Sequence, residues 1–590
     1  MVINLPPAFI LILGSFLIPF LKGRIKTIYL VVLPLLTFVY VLFLSEGVSW
    51  VLRAFDSELV FKRVDRLSLP FGYIFSLITL LTAIYSLHVK DNLHLVAGFI
   101  YAGSALGVVF AGDLVTLYIF WEIMALASTV VILTARTKKA ISAGMRYLLV
   151  HLTGGLLLLG GIILWFKQTG SLRFEYIGLN SLASWLIFLG FGVNAAFPVL
   201  HAWLPDAYPE STETGTVFLS VFTTKTAVYV LARSFSGTEL LIYIGALMVV
   251  FPIFYGIIEN NLRRVLSYVI INQVGFMVIG IGIGTTLSLN GTIAHALCHI
   301  LYDAVLFMAL GAVLYRTGKI NTTDLGGLYK YMPLTAIFCI IGAASISGFP
   351  LTSGFVSKSM IISAAGEGGL LIIWLALLLA SAGVFLVAGI KVPYFSFFSY
   401  DSGLKPKEAP PHMLLAMGIA AFLCIGIGLF PGLFYSILPY PVAYHPYTPA
   451  HVIDQIQLLG FSALAFTLLV LSGLYPPEIR CINLDADWFY RKATSWFLTL
   501  AEKVVAKVDY QIIGEAYEKV FIRGMLRLAN LSKKIDVSGV DGTYHALAKG
   551  SLQLSEIIKV IQTGKVSDYA FLMIIGLIAL LLLLALPMLF

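Results

Sequence analysis

The stretch FLGFGVNAAFPVLHAWLPDA, Phe188–Ala207, lies inside a long apolar tract. Yet it holds an amide at Asn194, prolines at Pro198 and Pro205, a histidine, a tryptophan and an aspartate. Proline inside a helix removes a hydrogen bond and collides with the preceding turn. In a bilayer, backbone freed in this way is tolerated only where it is buried in protein or lines a wet cavity. The stretch therefore predicts a broken membrane helix beside a polar interior. A second stretch, SISGFPLTSGF, repeats the signal with Gly348, Pro350 and Gly354.

Composition sets the class. The chain has 590 residues, of which 59% are hydrophobic and 12% charged. Only a polytopic membrane protein has that balance over such a length. The net charge of +8 reflects a modest Lys/Arg excess, which in this class belongs to cytoplasmic loops and not to nucleic-acid binding. Cys298, Cys339, Cys424 and Cys481 are far apart and form no CxxC pair, so they indicate no metal, cluster or disulfide framework. The opening MVINLPPAFILILGSFLIPF lacks a basic leading region and a small-residue cleavage site, and reads as a retained first helix.

Apolar runs fall near 5–21, 27–45, 67–87, 92–112, 113–134, 143–166, 182–203, 212–235, 239–258, 264–285, 290–315, 332–366, 368–398, 412–436, 452–476 and 567–590. At ~20 residues per crossing these predict about sixteen transmembrane helices in an all-α protein. If the helices alternate, Lys22/Arg24/Lys26, Lys90, Arg136/Lys138/Lys139, Arg263/Arg264, Arg316/Lys319/Lys330 and Lys405/Lys407 share one side. That side is expected to be cytoplasmic, with both termini outside, in a plasma membrane. Residues 477–566 carry far more charge, with apolar residues at helical spacing (Trp488, Phe489, Trp496, Phe497, Leu500). They read as an amphipathic lateral segment on the cytoplasmic side, held at its far end by a terminal anchoring helix, 567–590. Gly514, Gly524, Gly539, Gly542 and Gly550 predict interruptions in it, and a small helical domain off the membrane is the alternative.

Ionisable side chains inside spans are expensive and usually functional. Glu122, Lys225, His295, His299, Asp303 and Lys358 all lie in such runs. His295, His299 and Asp303 recur at i, i+4 and i+8, on one face of one helix. One such residue is readily explained by snorkelling or a structural pair; six in one chain are not. The His/His/Asp row is also a possible metal set, but one row on a straight helix rarely closes a site. Lys391 sits nearer a helix end, where snorkelling is the plainer reading. Asn194 to Lys225 and Lys358 to Lys391 are similarly spaced, each a broken-helix polar residue followed by a lysine one helix later. Paired broken helices mark inverted-repeat transporters. The expected units are N-terminal helices over 1–91, five-helix repeats over 92–235 and, inverted, 239–398, and further helices over 412–476.

Several motifs come in a recognisable order: VDRLSLPFGYIFSLITL, LVTLYIFWE, GFGVNAAFPVLHAWLPDA, KTAVYVLAR, NNLRRVLSYVIINQVGFM, HALCHILYDAVLF, DLGGLYKYMPLT and GFPLTSGFVSKSMI. From about 60 to 400 the chain resembles the antiporter-like family. This comprises the proton-pumping L, M and N subunits of respiratory complex I and the large subunits of Mrp-type antiporters and membrane-bound hydrogenases. LDADWFYRK and the closing helix resemble its long-tailed members, whose lateral helix braces neighbouring subunits. The resemblance implies that Glu122 is the paired glutamate and Lys225 the bridging lysine of a hydrated axis. It implies that His295 and His299 are the central histidines and Lys358 the broken-helix lysine of the second half. Two positions depart: Asn194 stands where the family usually has the lysine that pairs with the glutamate, and Asp303 where it has a central lysine. Glu122 is then expected to lack its usual cation unless Lys225 or a neighbouring subunit supplies one, which would leave the first half altered or silent, and Asp303 is expected to pair with His299 or a nearby lysine, or to join a cation site.

The resulting expectation is a subunit that moves protons, or protons against sodium. Its partners would be other membrane subunits, some antiporter-like, with a peripheral redox module and the bilayer, and no nucleic acid. The chain has no Rossmann glycine motif and no cluster cysteines, so it is expected to bind no cofactor and to be a non-redox subunit of an oxidoreductase complex. A structural subunit that has lost pumping and braces the assembly is the alternative, motivated by Asn194 and Asp303. A solitary secondary transporter is a third, against which the lateral segment argues.

Overall fold

The apolar runs become helices in a computed structural model that describes residues 5–54, 57–475, 478–479, 483–505, 507, 514–515, 517–559 and 564–585. The chain divides into two units, Met1–Trp488 and Phe489–Phe590. In the first, α1 (Pro7–Ser15) and α2 (Gly23–Leu42) precede a β-hairpin, β1 (Gly47–Ala54) and β2 (Ser57–Val64). Then come α3 (Ser68–Tyr85), α4 (Asn92–Phe110), α5 (Leu114–Leu133), α6 (Lys138–Thr169), α7 (Leu182–Asn194), α8 (Trp203–Ala207), α9 (Glu213–Val221) and α10 (Thr223–Ser234). The second stretch holds α11 (Leu240–Ile258), α12 (Leu262–Ile283), α13 (Thr286–Thr317), α14 (Pro333–Ser347), α15 (Ser353–Glu367) and α16 (Leu371–Val384). The first unit closes with α17 (Pro411–Leu429), α18 (Pro431–Tyr435) and α19 (Pro449–Leu471).

Among the described residues 12 helices are long and apolar enough to cross a membrane, and Pro7–Phe20, Leu182–Asn194, Pro333–Ser347 and Val566–Leu580 are shorter apolar helices. The chain is a multi-span helical membrane protein. The hairpin is an addition to the helical reading of 1–91. Its strands pair antiparallel, Val51 opposite Val60 and Leu52 opposite Leu59. It is tied down by Asp113, whose carboxylate accepts from Val60 N at 2.6 Å and caps α5 through Val115 and Thr116 N–H.

Helix α13 is the axis of the bundle. It packs against α3, α9, α12, α14, α15 and α17, and its residues from Ser288 to Val313 are buried. A helix enclosed on every side has no lipid face, so its polar residues must face other protein. By contrast, the apolar windows of α2 and α6 are only 28% and 33% buried, as befits the periphery.

Both expected breaks are present and share one backbone. Helix α7 ends with Phe197 N bonding Gly192 O and Ala196 N bonding Val193 O; α14 ends with Phe349 N bonding Ala344 O and Gly348 N bonding Ser345 O. These are Schellman closures. The left-handed residues are Ala196 (φ 59°) and Val199 (φ 71°) in the first break, and Gly348 (φ 72°) and Leu351 (φ 70°) in the second. Ala196-Phe197-Pro198-Val199 thus corresponds to Gly348-Phe349-Pro350-Leu351. This register corrects the spacing argument. Asn194 lies before its break and Lys358 after the other, so they are not equivalent positions. Pro205 falls within α8, and Gly354 in the first turn of α15.

The second unit is helical over Asp487–Leu500, which begins just before it, and over Arg523–Lys534 and Asp541–Lys559, with π-helical turns at Ala501–Val505, Tyr517–Ile522 and Ile535–Val540. Gly524, Gly542 and Gly550 lie within α-helical turns, whereas Gly539 falls in the π-helical turn Ile535–Val540 that separates two α-helical stretches. Parts of 477–566, and residues 586–590, lie outside the described residues. Val566–Ala585 is the apolar helix expected over 567–590.

Candidate ion-translocation site

Backbone breaks create the polar interior, and lysines occupy them. The long helix expected over 212–235 is kinked between α9 and α10 at Phe222. Tyr101 Oη accepts from Thr223 N at 3.0 Å. Lys225 Nζ donates to the carbonyl of Ser220 at 2.5 Å. The α14 break repeats the device. Lys358 Nζ donates to Ile346 O at 2.9 Å, and Gln455 Nε2 to Ser347 O at 3.2 Å. Lys391 Nζ donates to Ile257 O at 2.6 Å and Glu259 O at 2.8 Å, at the end of α11. Each ammonium sits against the negative end of a helix or helix segment, where a cation is favoured.

Lys225 also faces Asp303 of α13, Nζ to Oδ2 at 3.6 Å, with both side chains fully buried. This settles two expectations. Asp303 takes a nearby lysine as its partner, and Lys225 is not the cation of Glu122. Breaking such a pair from one side costs about 3–5 kcal/mol, because it strands a buried charge.

Along the same face of α13, His299 and His295 continue the row, their rings 6.3 Å apart. His295 is held at both nitrogens, Nδ1 by Ser357 Oγ and Nε2 by Gln273 Oε1, each at 3.2 Å. Gln273 is fixed in turn by Asn272 at 2.7 Å. Lys358 lies 5.0 Å over the ring of Phe276, which is 5.9 Å from His295. His299 differs: both of its ring nitrogens are buried without a hydrogen-bond partner among the described residues. Asp303 Oδ1 and Oδ2 likewise accept no hydrogen bond. The row therefore runs Lys225, Asp303, His299, His295, Lys358, and its centre has unused hydrogen-bonding capacity.

The first half is different. Glu122 is half-buried on α5, its Oε1 buried without a partner, and it makes no ion pair among the described residues. It lies against Gly155 of α6, where an added Cβ would fall 1.8 Å from Oε1. Asn194, at the last position of α7, has both amide atoms buried and unpartnered. Lys391 is 1% exposed, lies in a π-helical turn, Phe385–Lys391, and pairs with Glu478 at 2.9 Å. The snorkelling reading is therefore wrong for Lys391. Among the described residues no group of three His, Cys, Asp or Glu side chains is placed to hold a metal ion.

Sequence reasoning missed Gln273, Ser357, Gly155 and Glu478. Gln273 lies in the VIINQVGF run, and a buried amide there was a usable signal. Nothing in the sequence ties Glu478 to Lys391.

Residues 111–389 match the family described as NADH:quinone oxidoreductase/Mrp antiporter, transmembrane. NADH-quinone oxidoreductase subunit N of Desulforudis audaxviator is 30% identical over 353 residues, 55% of this chain and 70% of that protein. The chain belongs to this family. A Na(+)/H(+) antiporter subunit from Alkalihalophilus pseudofirmus is 28% identical over 72% of the chain, which spans only 60% of that relative's length. The fold matches the Mrp complex from Dietzia sp. DQ12-45-1b, with TM-score 0.66 and 19% identity over 78% of this chain and 98% of that one. It also matches the archaeal membrane-bound sulfane sulfur reductase, with TM-score 0.66 and 24% identity over 77% and 98%.

Proposed function

We propose that this chain is an ion-translocating subunit of a multisubunit membrane complex, moving protons or exchanging them for sodium. The observation that carries this reading is the enclosed row of Lys225, Asp303, His299, His295 and Lys358, at whose centre both ring nitrogens of His299 lack a hydrogen-bond partner among the described residues. A buried charge row is costly, and a merely structural helix would gain from apolar residues of similar volume. Membership of a family that includes antiporter and quinone-oxidoreductase subunits supports the same reading. Partners would be further membrane subunits and a driving module; the chain itself would need no cofactor.

Each residue has a role fitted to its place. His299 accepts a proton on a bare ring nitrogen. It lies within the fields of Lys225, His295 and Lys358, so its charging disfavours the neighbouring ammonium groups. Lys225 can pass its proton to Asp303 or onward while Ser220 O and Asp303 hold it in line. Lys358 and His295 form the second half of the path, and Lys391 with Glu478 its far end. Two inverted units meeting at α13 fit the repeated break geometry, and the Lys/Arg-bearing loops would face the cytoplasm. The test is a charge-pair cycle in sealed vesicles. Lys225→Met with Asp303→Asn should assemble and lose ion uptake, whereas each single variant should also lose stability. Full uptake in the assembled double variant contradicts the proposal.

A further inference from the structure

The polar groups around the first break are not used by the row. His201, in the break between α7 and α8, is 4% exposed. Its Nε2 lies 3.0 Å from Asp485 Oδ1, a residue of the segment that follows α19. Its Nδ1 is buried with no hydrogen-bond partner among the described residues. The imidazole is thus two-faced: one nitrogen holds a carboxylate, the other is buried and uses none of its hydrogen-bonding capacity among the described residues.

Asp485 is built into place. Tyr268 Oη donates to its Oδ2 at 2.7 Å and Ala486 N to its Oδ1 at 2.6 Å. Tyr255 stacks on Tyr268 at 4.9 Å and donates to Leu484 O. Phe251 closes over His201, the rings 4.6 Å apart. Asn483 Nδ2 donates to Glu259 Oε2 at 3.0 Å, and Arg264 faces Glu259 and Glu210 at 3.8 and 3.6 Å. Arg146 pairs with Asp206 at 2.7 Å and lies within the field of Asp487. Desolvation pushes the Asp485 carboxyl up, but His201, Tyr268 and the Ala486 N–H together hold it below its ordinary value.

A second histidine stands one turn along α6 from Gly155, the residue that lies against Glu122. His151 of α6 is buried, and its Nδ1 bonds Tyr147 O at 2.9 Å. A carbonyl only accepts, so Nδ1 carries the hydrogen and Nε2 presents a lone pair. That Nε2 is buried and unpartnered. Its ring packs on Trp203, two residues beyond His201, at 4.6 Å, and on Tyr147 at 3.9 Å. His151 and Gly155, the residue against Glu122, are at i and i+4 on one face of α6.

We propose that Asp485, His201 and His151 form a proton inlet that serves Glu122 in the first half, in place of a path through the uncharged Asn194. It rests on the ion-translocating reading above. Beside the ionised carboxylate His201 carries its hydrogen on Nε2; a tautomer exchange moves it to Nδ1, after which a proton taken by Asp485 passes to the bared Nε2 as Nδ1 releases one inward. His151 Nε2 accepts the inward proton, and Glu122 is its destination. Nothing is oxidised or reduced.

The test uses the assembled complex in sealed vesicles, with proton uptake read against pH. Asp485→Glu should retain uptake, while Asp485→Asn and His151→Phe should lower it and leave assembly intact. Tyr268→Phe removes one hydrogen bond from the carboxylate and should move the acid limb of the profile toward neutral pH by about one unit. Asn at 485 still accepts from Tyr268 and Ala486, so a latch with only a structural role leaves rate and profile unchanged. That result in Asp485→Asn and Tyr268→Phe overturns the inlet. If Lys358→Ala nevertheless abolishes uptake, the ion-translocating reading stands without it; if Lys358→Ala is also silent, both fail.

Discussion

Asn194 sits where the resemblance expects a lysine, and its amide atoms have no hydrogen-bond partner among the described residues. An amide at that site carries no charge to answer Glu122. If the first half is silent only for lack of that lysine, Asn194→Lys should change the number of ions moved per turnover of the driving reaction; a path that bypasses Asn194 predicts an unchanged ratio. Gly155 sets the position of Glu122. Gly155→Ala places a methyl where Glu122 Oε1 now lies, so the carboxyl must turn away. Uptake should fall while the complex assembles, which membrane-vesicle assays and native gels would separate. At this scale the sequence was legible where one helix supplied all the residues. His295, His299 and Asp303 share a face by spacing alone. Their partners were not legible, because Ser220 O, Gln273 and Ser357 come from other helices and one of them is a backbone carbonyl.

The broken helices were legible because proline and glycine act locally on the backbone. Their common register was not, because it shows only in the dihedral angles of Ala196 and Val199 against Gly348 and Leu351. The second break is also the tighter. A Cβ on Gly354 would meet Ser345 O at 1.7 Å, a backbone atom that cannot swing aside. Gly354→Ala should therefore lower stability by about 1–3 kcal/mol, as overpacking does. Ala196→Gly should be neutral or stabilising, since a left-handed alanine carries a cost of about 1–2 kcal/mol that glycine avoids. Thermal inactivation of the solubilised complex measures both; a stable Gly354→Ala would contradict the packing.

On the scale of the whole molecule, distant segments lock the bundle. Arg233, at the end of α10, donates to Asp65 Oδ1 at 2.8 Å and so joins the hairpin side to the first half. Desolvation raises the Asp65 carboxyl, yet the hydrogen bond and charge of Arg233 leave it below its ordinary value. A lowered carboxylate contributes stability that is fully present above the unfolded value, about 3.9, and is lost as pH falls through the folded one. The protection factors of the hairpin amides should therefore be high at neutral pH and fall only in acid, and Asp65→Asn should lower them at neutral pH. Equal protection in the variant would mean that the latch holds nothing. Such closures lay beyond the sequence, because nothing local ties residue 65 to 233, or 391 to 478. The hydrophobic runs that made the spans legible say only that helices meet, not which side chains face.

The most direct measurement is ion uptake by the intact complex in sealed vesicles, wild type against Lys358→Ala, with protons and sodium followed separately. Conduction by this chain predicts that the driving turnover continues while movement of at least one of the two ions falls. Unchanged movement of both ions in a normally assembled complex would contradict it and leave the charged row without a transport role.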